Sequence, residues 1–122
     1  MSADDAFNYG AVGVVIGHEM THGFDDQGCQ FDKDGNLNNW WTAEDKARFD
    51  ARTKVMADFF SHIEVAPGVY GNGEFTLGEN IADHGGLQVA FQAFKENEAA
   101  KPASERLKTR DGFTPEQRFF LA

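Results

Sequence analysis

Residues 2–24 contain no proline, and their apolar positions gather at Val12, Val14, Val15 and Ile16, with glycine at 10, 13 and 17. Each glycine costs a helix interior roughly 1 kcal/mol against alanine, so three at helical spacing make sense on a face where another backbone comes close. The pattern predicts a buried helix from a Ser2 cap to about Phe24. Asp25 to Asn39 is polar and carries the turn pair Asp34-Gly35. Thr42, three residues before Asp45, then caps an amphipathic surface helix over about 43–63, with Phe49, Met56, Phe59, Phe60 and Ile63 on its apolar side. Pro67-Gly68 ends it, and Asn72-Gly73 between Val69-Tyr70 and Glu74-Phe75 predicts a short hairpin. Thr76 caps a third helix to about Glu98, residues 99–113 read as a loop, and Thr114-Pro115-Glu116 opens a fourth. That last helix leaves Phe119, Phe120 and Leu121 as an apolar face with nothing to cover it. The fold class that follows is mainly α with a few short strands or hairpins.

Leu, Ile, Val and Phe number only 27, twelve of them Phe, so the core of this 122-residue chain leans on aromatics and the chain reads as a piece of something larger. Net charge is −9, and residues 1–45 hold nine acids against the single Lys33. A field of that sign disfavours nucleic acid and anionic membrane as partners and suits cations. The longest apolar run, Val12 to Ile16, falls far short of the roughly 20 residues a membrane span needs. Cys29, the lone cysteine, has no partner for an internal disulfide or a zinc knuckle, which leaves the compartment open.

His18-Glu19-Met20-Thr21-His22 is H-E-x-x-H on the first helix. Two histidines four apart share one helical face and can hold one metal, and a random chain of this composition produces the motif about once in a hundred. Two imidazoles plus a carboxylate, with one position open, suit catalytic zinc. The candidate third ligand is Glu79 in Leu77-Gly78-Glu79-Asn80-Ile81-Ala82-Asp83, and Asp83, one turn on, can accept the second ring N–H of a ligand histidine. Acid pairs at that spacing are common by chance, so this half rests on more than spacing. Asp32, Asp34 and Asn36 imitate the start of a calcium loop, but Leu37 stands where glycine is needed and Ala43 where glutamate is needed. His62 and His84 have no metal-ligand spacing to any partner, and Cys29 reads as a buried or half-exposed thiol. Asp25 and Asp26 follow the helix C-terminus, where negative charge is unfavourable; a contact with His22 and a plain turn role are both open.

Asn8-Tyr9-Gly10, the run Val15 to Gly28 around H-E-x-x-H, Gly35-Asn36-Leu37, Trp40-Trp41-Thr42, Thr76 to Asp83 and Gly85-Gly86-Leu87 closely resemble the neprilysin and endothelin-converting-enzyme family. Asp111-Gly112-Phe113-Thr114 with Gln117 to Ala122 looks most like its bacterial oligopeptidase branch. The resemblance runs in order along nearly the whole chain. It implies a thermolysin-like, glutamate-liganded (gluzincin) zinc metalloendopeptidase that hydrolyses oligopeptides, with one zinc held by His18, His22 and Glu79, Glu19 as general base, and Asp83 orienting His18. It also implies that residues 1–122 are the central part of a catalytic domain, incomplete at both ends. The segment that binds substrate backbone then lies upstream, and the histidine and arginine that stabilise the oxyanion and hold substrate lie downstream. The partners implied are peptide substrates and the remainder of the parent domain, in a periplasmic, secreted or membrane-anchored ectodomain setting. Two other readings stay open: a zinc-binding fragment without turnover, and a helical interaction module in which the motif is accidental.

Overall fold

The computed structural model describes residues 4–122, and the expected Ser2 cap lies outside the described residues. The first helix starts from Asp4, whose carboxylate accepts the Phe7 amide at 3.1 Å. One helical run continues to Phe24: α1 over Asp5–Asn8, a π turn over Tyr9–Gly13, α2 over Val14–Thr21, and a 3-10 turn over His22–Phe24. α3 (Ala43–Ser61), β1 (Glu64–Ala66), β2 (Val69–Tyr70), α4 (Leu77–Ala100) and α5 (Pro115–Leu121) follow. The chain is mainly α with one two-stranded hairpin, as the pattern predicts. No helix among the described residues is long and apolar enough to cross a membrane.

The chain divides into two compact units, Met1–Glu19 with Asp83–Ala122, and Met20–Ala82. In the first, Ala6, Ala90, Phe94 and Phe119 form the core, with Tyr9, Val14, Phe91 and Leu107 packed around them. Phe94 and Phe119 stack with centroids 5.7 Å apart, and each fully buried ring contributes roughly 1.5–3 kcal/mol. The expectation of a bare Phe119–Leu121 face is thus corrected in part: Phe119 is 1% exposed, whereas Phe120 and Leu121 stay 58% and 65% exposed. Gly10 makes the difference, since a Cβ there would lie 2.1 Å from the Phe119 carbonyl oxygen, and its absence lets α5 sit directly on the first helical run. A reciprocal capping box starts α5, with the Gln117 amide donating to Thr114 Oγ1 at 3.2 Å and the Thr114 amide donating to Gln117 Oε1 at 2.9 Å. Arg118 pairs with Asp4 at 3.0 Å. Lys101, hydrogen-bonded to Asp5 and Glu98, has its ammonium pushed up to about 12 by those carboxylates.

The first helix is not buried as the glycine pattern predicts. Ala6 and Gly17 are enclosed, but Val12, Val15, Ile16 and Met20 are each more than half exposed, because the side that meets its neighbours is the one made of small residues. A Cβ on Gly17 would lie 2.8 Å from Gly86 O, and one on Gly86 only 2.4 Å from the His18 amide nitrogen. Gly13 makes no such approach and belongs to the π turn. Because the obstacle at Gly86 is main chain, Gly86→Ala must push α2 and α4 apart. We expect a loss of about 1–3 kcal/mol, read as a lower thermal midpoint. An unchanged midpoint would show that the crossing has slack.

In the second unit the polar stretch after Phe24 is organised by its tryptophans. Trp41 Nε1 donates to Cys29 O at 2.9 Å and Trp40 Nε1 to Phe31 O at 2.8 Å, while the Trp41 ring lies 5.3 Å from that of Phe49 on α3. Cys29 is buried, and burial pushes its thiol pKa up. Asp32 accepts the Asp34 and Asn36 amides, both at 3.0 Å, so its carboxylate serves its own turn. Thr42 caps α3 by accepting the Asp45 amide at 3.1 Å, as predicted. Of the α3 stripe, Phe59 remains 64% exposed, and the buried position is Ala57.

The hairpin turns at Pro67-Gly68 rather than Asn72-Gly73, pairing Ala66 with Val69 and Glu64 with Tyr70. Proline at the second turn position and Gly68 at φ +74° match a type II turn. Asn72-Gly73 instead leads into α4. Asn72 Oδ1 accepts the Phe75 amide at 3.0 Å, and Gly73 is pressed so closely on α3 that a Cβ would meet Ala57 O at 1.9 Å.

Candidate metal centre

His18 and His22 stand one helical turn apart, as their spacing requires. Glu79 lies in the first turn of α4 and Asp83 one turn beyond it. His18 Nδ1 is 2.8 Å from Asp83 Oδ1, His22 Nδ1 is 2.7 Å from Asp25 Oδ2, and His22 Nε2 is 3.8 Å from Glu79 Oε1. One ligand atom from each of His18, His22 and Glu79 lies within 4.8 Å of the others. The structure thus brings together the three residues expected to hold metal, and sets Asp83 against the histidine it was expected to orient. Glu19 lies on the same helix, exposed, and is not a member of the group.

The donor set fits zinc. Two imidazole nitrogens and a carboxylate oxygen are its usual ligands in catalytic sites. Both rings present Nδ1 to a carboxylate; donation to an ionised carboxylate would put the proton on Nδ1 and turn Nε2 toward a metal. The 3.8 Å separation of His22 Nε2 and Glu79 Oε1 is too long for a hydrogen bond. It is near the spacing of about 3.4 Å that two ligands reach when each lies about 2.0–2.2 Å from one tetrahedral zinc.

Asp25 answers the question its position left open by taking both roles. Oδ2 meets His22, while Oδ1 accepts the Gln27 amide at 2.8 Å and the Gly28 amide at 2.6 Å, closing the turn after the helix. Burial pushes the Asp25 carboxyl up, but hydrogen bonds from the Gly28 amide, the His22 ring and the Gln27 amide outweigh it and hold the carboxyl below its ordinary value. His62 and His84 make local bonds, to Asp58 O at 2.6 Å and to Gln88 at 2.8 Å. Sequence reasoning missed Gly86 as the partner of Gly17. The signal was Gly85-Gly86 in mid-helix, where two poor helix formers in succession need a packing reason.

The family model "Peptidase family M13" matches residues 1–122. Neprilysin-11 of Caenorhabditis elegans is 47% identical over 118 residues, 96% of this chain and 14% of that protein. Human endothelin-converting enzyme 1 is 46% identical over 120 residues, 98% of this chain and 15% of that protein. Among solved structures, the zinc metalloprotease Zmp1 of Mycobacterium tuberculosis superposes with a TM-score of 0.87 at 45% identity, over 97% of this chain and 18% of that one. The chain therefore spans about one-seventh of the length of these curated relatives. Whole-chain match, identity and backbone agreement lead to one conclusion: the chain belongs to peptidase family M13.

Proposed function

We propose that this chain carries the zinc ligands and the proton-handling carboxylate of a metalloendopeptidase acting on oligopeptides, as the central part of a longer catalytic domain holding one zinc. The observation that carries the reading is the convergence of His18, His22 and Glu79, with each imidazole backed by a carboxylate. Zinc, when bound, supplies Lewis acidity that lowers the pKa of a water and polarises a carbonyl. His18, His22 and Glu79 hold it, and Asp83 and Asp25 fix the two rings.

Glu19, beside a ligand in sequence but not one itself, takes a proton from the attacking water as its oxygen bonds to the scissile carbonyl carbon. It then delivers that proton to the amine nitrogen as the C–N bond breaks, leaving a new carboxylate and a new amine. Peptide substrates and the rest of the parent domain are the partners this chemistry needs.

Metal analysis tests the ligand set: Glu79→Ala and His22→Ala should each strip zinc, and full occupancy in Glu79→Ala would sink the assignment. Asp83 is a positioning residue. Asp83→Ala should weaken zinc binding or activity by about 10–100-fold without unfolding the protein, and Asp83→Glu nearly as much, since the extra methylene misplaces the oxygen. Unchanged zinc affinity and turnover in both would make Asp83 an ordinary surface acid.

A further inference from the structure

The loop after the H-E-x-x-H helix presses two carboxylates on the start of α4. A Cβ built on Gly78 would lie 3.1 Å from Asp26 Oδ1 and 3.2 Å from Asp25 Oδ2, so both acids pack on the Cα of the residue immediately before Glu79. The Asp25 oxygen in this contact is the one bonded to His22 Nδ1. Asp26 Oδ1 is enclosed and has no hydrogen-bond partner among the described residues, although Asp26 Oδ2 accepts from Gln27 Nε2 at 3.1 Å and Asp26 O accepts from Gln30 Nε2 at 3.3 Å. An enclosed carboxylate oxygen without a partner costs stability and needs a compensating reason. Its place against the first turn of a 24-residue helix supplies one, because the helix N-terminus attracts negative charge.

We infer that Asp26 and Gly78 form a seat that sets the reach of Glu79 toward the metal. Asp26 is then a positioning residue, acting through the backbone of Gly78. The short turn ties His22 on one side, through Asp25, and Glu79 on the other, through Gly78, so the 3.8 Å spacing of these two ligands is built into one loop–helix contact. Glycine at 78 lets the seat close this far, because a Cβ would fall at distances tighter than ordinary contact with two carboxylate oxygens, one of them held by His22, and would push them back. The inference rests on Glu79 being a zinc ligand.

The experiment measures zinc affinity by chelator competition, the visible absorption of the cobalt-substituted protein, and the thermal midpoint of the zinc-free protein. The variants are Gly78→Ala, Asp26→Ala, Asp26→Asn and Asp26→Glu, with Glu79→Ala alongside. Gly78→Ala, Asp26→Ala and Asp26→Glu should weaken zinc about 10–100-fold and shift the cobalt bands, with a metal-free midpoint close to wild type. Asp26→Asn, equal in length and shape, should restore affinity to within a few-fold and return the wild-type cobalt spectrum. Wild-type affinity and spectrum in Gly78→Ala and Asp26→Ala overturn the inference, as does an affinity loss fully matched by a lower metal-free midpoint. Should Gly78→Ala not fold, the three Asp26 variants decide alone. If Glu79→Ala loses zinc while these variants do not, only the seat is wrong; if Glu79→Ala keeps zinc, the ligand assignment itself falls.

Discussion

Glu19→Gln should leave zinc bound and slow peptide cleavage by orders of magnitude. The substitution keeps the shape of the side chain and takes away its ability to accept a proton. Glu19 is exposed on the helix that carries His18 and His22, and lies outside the group of ligand atoms, so the metal loses nothing when the charge goes. Positioned acid–base groups contribute about 10²–10⁴ in rate, and turnover should fall by that much. Zinc content and cleavage of a fluorogenic peptide, measured on the same sample of a longer catalytic domain that contains this sequence, check it. Cleavage within about tenfold of wild type, with zinc retained, would remove Glu19 from the reaction.

On the reading proposed above, the 122 residues made alone should cleave peptides far more slowly than the same sequence within a longer catalytic domain. The chain spans about one-seventh of its curated relatives, and on the reading proposed above the group that stabilises the oxyanion belongs to a part of the domain outside these residues. Loss of one oxyanion donor costs about 2.7–4 kcal/mol, a factor on the order of 10²–10³ in rate. Absence of the segment that aligns substrate backbone lowers productive orientation further. Val12, Val15, Ile16, Met20, Phe120 and Leu121 are all exposed here, an apolar surface that favours association. Agreement of the two turnover numbers within about tenfold would show that the additional sequence contributes little to the chemistry.

Local signals in the sequence read well where a side chain bonds to its own neighbourhood. The Thr42 cap, the helix start at Thr114-Pro115 and the pairing of the two histidines on one helix face all depend on residues at most four apart, and all appear as expected. The hairpin failed because two turn pairs competed within seven residues: Asn-Gly is the stronger signal in isolation, but Asn72-Gly73 is drawn against Ala57 of α3, a contact distant in sequence. Burial was the least legible. Glycine spacing showed that some backbone approaches closely, not which, and it said nothing of the opposite face of the helix, which is exposed. Of the candidate site, His18, His22, Glu79 and Asp83 were legible because the motifs lie in family order. Asp25 was not, since a turn acid and a histidine partner look alike until the oxygens are placed, and here each oxygen does one of the two jobs.

The π turn at Tyr9–Gly13 gives the first helical run an angular offset. Such a turn holds one residue more than α geometry would use, and one residue corresponds to about 100° of rotation. The stretch that sends Ala6 into the cluster with Phe94 and Phe119 and the stretch that sends His18 to Asp83 are therefore set to different bearings by the length of a five-residue segment. Removing one residue there should rotate the two stretches relative to one another, so that either Ala6 or His18 could be aimed correctly, not both. Chain length at this point works as a rotational coordinate for His18, a constraint separate from the close approach that keeps position 10 a glycine.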